Sequence, residues 1–245
     1  MADPGRKRAV EEAADSIRDG ILVGRYRAGD HLPGERELSQ QLGVSRLTLR
    51  SALARLEAEG LVRAMHGAGN RVLDYRESGT IDLLGYLARL SLEGRVVPVD
   101  VLGDLLELRR AIAVEALGLA AERCTDAELE AMREHVRAQH ALLDQPRAFM
   151  EADLAFARLV VRATHNIAFE LVFNTVQKTI MSNSALEIAY WANAPQTLRV
   201  YERLLRRMGR RDAERVRQVT RGLLERLDRR TLELLAGLGG GGAIE

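Results

Sequence analysis

The chain has 245 residues, 47% hydrophobic and 29% charged, with 36 Lys+Arg against 35 Asp+Glu for a formal net charge of +1. That is too apolar and too evenly charged for a disordered chain, and long enough for one or two domains with real cores. Cys124 is the single cysteine, so a disulfide scaffold is excluded. The first twenty residues lack an apolar h-region and no run of about 18 apolar residues occurs, so neither signal peptide nor membrane span is predicted and a cytoplasmic location is expected. Only Lys7 and Lys178 are lysines. A bias toward GC-rich codons explains that arginine excess more simply than selection for bidentate contacts everywhere. Whole-chain charge does not point to nucleic acid, so any such case rests on where the charges sit.

In chain order, Arg8 to Val23 carries apolar residues at helical spacing (Val10, Ala13, Ala14, Ile17, Ile21) and ends at Gly24. Gly29, Pro33 and Gly34 break the chain; a short helix is predicted over Glu35–Leu42, Gly43 turns it, and Ser45 caps a longer helix ending at Gly60. Two β-prone runs, Leu61-Val62-Arg63-Ala64 and Arg71-Val72-Leu73, flank His66-Gly67-Ala68-Gly69-Asn70, a hairpin signal. Helix, helix, turn, helix, hairpin is the order of a winged helix-turn-helix. The polar stretch Asp74 to Gly79 reads as a linker.

Beyond it about seven helices are predicted, near Ile81–Leu92, Val99–Arg123, Asp126–Leu143, Ala148–Thr164, Ile167–Tyr190, Gln196–Met208 and Asp212–Leu235. Thr125-Asp126-Ala127-Glu128 is a capping-box pattern, Pro98, Pro146 and Pro195 are read as falling between helices, and Gly209 closes the sixth. Gly237 to Gly242 holds five glycines in six residues and is expected to be disordered. The fold class is therefore mostly α: a winged helix-turn-helix over residues 1–75, an all-helical effector-binding and dimerisation bundle over 76–236, and a Gly-rich tail over 237–245.

Projected at 100° per residue, the helix after Ser45 puts Leu49, Ala52, Leu53 and Leu56 on one stripe and Arg46, Leu47, Arg50 and Ser51 opposite. From Leu38 to Leu56 there are three arginines and no acid, although Glu57 and Glu59 follow at once. An acid-free helix N-terminus bearing guanidinium forks suits phosphates and guanine edges, whereas a plain solvated face would carry similar residues without that role. The glycine hairpin favours the first reading, because a wing beside the minor groove needs close backbone approach.

The stretch GDHLPGERELSQQLGVSRLTLRSALARLEAEGLVRAMHGAGNRV, Gly29 to Val72, closely resembles the DNA-binding domain of GntR-family transcription regulators. The resemblance implies that Arg36, Ser45, Arg46, Thr48, Arg50, His66 and Gly67 touch a palindromic operator, bound by a homodimer. Projection adds that Arg46 and Arg50 are the best base readers, with Arg36, Ser45 and Thr48 closer to phosphate anchors. Leu47 either meets a thymine methyl or is merely tolerated there.

The remainder resembles the helical C-terminal domain of that family's FadR branch, through Ser78 to Leu90, Asp104 to Arg123 and the span from Asp153 to Asn166. Many members of the branch hold a divalent metal with one Asp, a His four residues on and two later histidines. Here the i+4 position from Asp153 is Ala157, and the later histidine positions hold Tyr201 and a residue near Arg221. His135 and His140 lie about 140° apart around a helix, and His165 is read as a loop residue. One Asp does not make a metal site, so no metal is expected. Asp153 itself, on the edge of an apolar stripe, needs a partner.

Absence of the histidines points to the members that sense fatty acyl-CoA, whose chain needs an apolar tunnel and whose CoA end needs cations and stacking surfaces. Candidate effector residues are Arg109, Asp153, Tyr190, Trp191 and Gly222. Each has a plainer role: Trp191 as a core anchor, Arg109 in an ion pair with Asp153 or Glu107. The segment Arg199 to Arg230, twelve arginines against five acids, is equally a solvated face. The rival readings are a regulator sensing a small organic acid through a metal, and an enzyme with a DNA-binding head. For the enzyme there is no paired-carboxylate or phosphate-loop signal, since Gly67-Ala68-Gly69 lies in a hairpin.

Overall fold

The computed structural model describes residues 4–93, 100–181 and 194–239. It divides into two compact units, Met1–Val101 and Leu102–Glu245, so the division falls later than residue 75. The fold is mostly α with one two-stranded sheet.

In the first unit α1 (Pro4–Leu22) packs on α3 (Arg46–Ala58), with α2 (Glu35–Gln41) beside α3. The predicted stripes are the buried ones: Ala13, Ala14, Ile17 and Ile21 on α1, and Leu49, Ala52, Leu53 and Leu56 on α3. Each fully buried leucine contributes about 1.5–3 kcal/mol. Strands β1 (Val62–Met65) and β2 (Gly69–Val72) pair antiparallel from Val62↔Val72 to Met65↔Gly69. The connection is thus shorter than the predicted five residues: Ala68 N–H donates to Met65 C=O at 3.0 Å, and Gly67 (φ +74°) and Gly69 (φ +81°) take the left-handed conformations this turn needs. The chain before α2 adds to the hairpin, with Val72 N–H donating to Asp30 C=O at 2.8 Å and Leu32 N–H to Asn70 C=O at 2.9 Å.

The stretch read as a linker is folded. Asp74 caps the short helix α4 (Tyr75–Ser78), accepting from Arg76 N–H at 2.9 Å, and the Ser78 hydroxyl donates to Gly60 C=O at 2.7 Å. A Cβ on Gly60, at φ +75°, would lie 1.9 Å from the Ser78 carbonyl oxygen. Polar composition suggested a linker because the packing partner is a backbone glycine eighteen residues upstream. Helix α5 (Leu83–Leu92), placed in the effector bundle on sequence grounds, packs against α1 in the first unit.

The second unit holds α6 (Val101–Arg123), α7 (Asp126–Gln139), α8 (Pro146–Arg162), α9 (Ile167–Met181), α10 (Ala194–Met208) and α11 (Ala213–Gly239). The predicted capping box forms, Thr125 accepting from Glu128 N–H while the Glu128 carboxylate accepts from Thr125 N–H. The predicted helix to Leu143 tightens instead into a 3₁₀ turn over His140–Leu142. Pro146 and Pro195 lie within first helical turns rather than between helices, where proline's missing N–H has no carbonyl to meet. Pro98 lies outside the described residues, as does the predicted helix beyond Met181. Helix α11 reaches Gly239, so the disorder expected from Gly237 does not begin there; extending a formed helix avoids the nucleation cost. Gly240 to Glu245 lie outside the described residues. One core joins Ala116, Ala120, Leu129, Met132, Phe149, Phe156, Leu198, Leu204 and Val216 from five helices, and a smaller cluster gathers Met150, Leu154, Val161 and Phe173.

Candidate nucleic-acid interface and effector site

At the head, Ser45 caps α3 and its hydroxyl accepts from Thr48 N–H at 3.1 Å. Arg46 and Arg50 are exposed, and Leu47 between them is 59% exposed. Arg36 on α2 and His66 and Gly67 at the wing turn are exposed as well. Thr48, expected as a phosphate anchor, is buried, with its hydroxyl 2.8 Å from that of Ser45. The reason was visible in the spacing, since Thr48 lies one turn before Ala52 and shares its inward face. A residue the sequence reading passed over is Glu35, whose carboxylate accepts from Arg50 Nε at 2.8 Å. That bond links the exposed Arg50 side chain to α2. The acid-free window from Leu38 hid Glu35 because it stands on the preceding helix.

Inside the helical unit Asp153 is buried, and the Tyr201 hydroxyl donates to its Oδ1 at 2.7 Å. The Tyr201 ring stacks on Phe156, centroids 4.2 Å apart. Burial pushes the Asp153 carboxyl above the usual carboxylate range, while Tyr201, the charge of Arg109, the Gln139 amide and His135 pull the other way. Gln139 is 1% exposed, and neither polar atom of its amide makes a regular hydrogen bond among the described residues; the Thr220 hydroxyl is in the same position. Buried polar atoms of this kind are usually satisfied by water or ligand. Arg109, whose charge acts on Asp153, donates to Asp228 on α11, which also accepts from Arg110 at 2.6 Å.

The histidines go to separate partners: His135 Nε2 to Ala152 C=O at 2.7 Å, His140 Nε2 to Glu202 at 3.0 Å, His165 Nε2 to Glu128 at 3.3 Å. Among the described residues no three His, Cys, Asp or Glu side chains converge as metal ligands. At Asp153 the carboxylate meets a phenol and a guanidinium charge. Tyr190 and Trp191 lie outside the described residues. Gly222 lies on α11, and among the described residues a Cβ there would meet only Arg226, at 3.7 Å. Part of the arginine-rich segment is structural: Arg217 pairs with Glu115 and Glu122, and Arg211 with Asp126.

Two family models match the chain, "Bacterial regulatory proteins, gntR family" over residues 9–72 and "FCD domain" over 104–226. The chain belongs to the GntR family. Its relatives include an uncharacterised HTH-type transcriptional regulator of Mycobacterium tuberculosis, 36% identical over 71% of this chain and 69% of that one. The fatty acid metabolism regulator protein of Escherichia fergusonii is 32% identical over 66% of this chain and 65% of its own. Among solved structures, Lar, described as controlling the Listeria monocytogenes agr system, superposes with a TM-score of 0.60 at 16% identity, covering 92% of this chain and 97% of its own. This GntR-family chain is therefore a transcription regulator with a winged helix-turn-helix head and a helical FCD domain. No helix among the described residues is long and apolar enough to cross a membrane.

Proposed function

We propose that the protein is a homodimeric regulator that reads a palindromic operator and changes its hold on DNA when a fatty acyl-CoA occupies the helical unit. The observation that carries the DNA half is the exposed face of α3, where Arg46, Leu47 and Arg50 stand together on a capped, acid-free N-terminus. Arg46 and Arg50 are the base readers, with Arg50 aimed by Glu35. Arg36 and the Ser45 end of α3 take phosphates, Thr48 acts only through the cap it shares with Ser45, and His66 and Gly67 lie along the minor groove.

The ligand half rests on the fatty-acid regulator among the relatives and on the site at Asp153, where a phenol and a guanidinium charge stand in place of further metal ligands. The effector residues in this reading are Arg109, Asp153, Tyr190, Trp191 and Gly222, with no metal cofactor and no reaction catalysed. A ligand acts on the operator only through unequal affinity for two arrangements of the protein. Gel shift on an operator selected from a random duplex library, with and without long-chain acyl-CoA, tests the proposal. Stoichiometric zinc, manganese or nickel in purified protein, with a response to a small organic acid instead, would replace the acyl-CoA reading.

A further inference from the structure

Arg18 on α1 has the largest fully buried side chain among the described residues. A guanidinium in that position is costly unless it is paired with charge and hydrogen-bonded. Its Nε and Nη2 donate to the two oxygens of Glu59, each at 2.7 Å, its Nη1 donates to Asp15, and its Cζ sits 3.8 Å from the centroid of the Tyr86 ring. These partners come from three places: Asp15 on α1 itself, Glu59 just past the last residue of α3, and Tyr86 on α5. Arg55 reinforces the same end of α3 by bonding Glu59 at 3.3 Å and Glu11 on α1 at 3.0 Å. One turn further along α5, Arg89 pairs with Asp19 at 2.6 Å.

Stability alone does not account for this node. A carboxylate at a helix C-terminus opposes the helix dipole, and an apolar side chain at position 18 would fill the core without desolvating two charges. What a bidentate pair supplies instead is a fixed angle between the groups that carry it. That angle matters because α3 is a rod of about 20 Å, so a 5° tilt about its Glu59 end moves the Arg46 end by about 1.7 Å. Base reading tolerates about 0.5 Å. We propose that Arg18 is a positioning residue for DNA reading: it sets the angle of α3 through Glu59 and makes that angle depend on α5 through Tyr86.

The test uses the full chain with variants Arg18→Lys, Tyr86→Leu and Tyr86→Phe, each measured on the selected operator and on a scrambled duplex of equal length. Arg18→Lys keeps the charge and loses the fork; Tyr86→Leu keeps apolar volume and loses the ring face; Tyr86→Phe keeps the ring over Arg18 and loses only the hydroxyl, which faces Arg55. The expected result is an operator-to-scrambled affinity ratio lowered about tenfold by the first two and within about twofold of wild type for Tyr86→Phe. A merely structural role would lower the melting temperature and leave that ratio unchanged below it. An unchanged ratio, or an equal loss on both duplexes, overturns the proposal. Should Arg18→Lys not fold, the contrast between the two Tyr86 variants decides it in the same way.

Discussion

Replacing Tyr201 by Phe removes one hydroxyl from the interior of the helical unit and keeps the ring. The ring keeps its stacking on Phe156, at 4.2 Å between centroids, so the packing is conserved. What is lost is the 2.7 Å hydrogen bond to Oδ1 of Asp153, a carboxylate already pushed up by burial. A hydrogen bond to a buried charge contributes about 1.5–3 kcal/mol net, so the expected loss at pH 7.5 is about 2 kcal/mol, or a melting temperature lower by about 4–8 °C for a unit of this size. Because Tyr201 favours the ionised carboxylate, the loss should shrink as the pH falls and Asp153 takes up its proton. Urea unfolding of wild type and variant at pH 7.5 and pH 5 measures both quantities. A loss below about 0.5 kcal/mol at pH 7.5, or one that grows toward pH 5, would refute the assignment of Asp153 and Tyr201 as a buried pair.

Asp153→Asn tests the same carboxylate by linkage: a folded-state pKa raised above the unfolded one means that wild type loses stability as pH rises through that window, and the variant should lack this slope in thermal scans. Arg46→Ala and Arg50→Ala should each weaken operator binding by about 1–3 kcal/mol and relax base preference, measured by titration against single-base operator variants. Glu35→Gln should move binding in the same direction as Arg50→Ala but by less, since it frees the guanidinium without removing it. Gly60→Ala should destabilise the first unit by about 2 kcal/mol or more in urea unfolding, because its Cβ would meet the Ser78 carbonyl oxygen at 1.9 Å in a left-handed backbone.

The head was legible where local rules act alone. The stripe Leu49, Ala52, Leu53, Leu56, the Ser45 cap and the glycine wing each follow from spacing within a few residues, and each stands where the sequence put it. At Thr48 chemistry points to phosphate while spacing points inward, and its hydroxyl meets that of Ser45. The rest depended on partners far away in the chain: Ser78 on Gly60, Arg50 on Glu35, Arg109 on Asp228, Arg18 on Glu59. Periodicity says which face is buried and nothing about which charge will meet which across a core. Asp153 shows both sides, since its need for a partner followed from its place on an apolar stripe, while Gln139, beside it and buried, carried no sequence signal.

The central claim is that occupancy of the helical unit by a fatty acyl-CoA changes how the head holds DNA. Fluorescence anisotropy of the full chain on its selected operator, titrated with palmitoyl-CoA and oleoyl-CoA and with free CoA as control, measures that coupling. The expected result is a change in operator affinity of about 5- to 150-fold with the acyl-CoAs and none with CoA alone. Unchanged operator affinity at saturating concentrations of both acyl-CoAs would contradict it.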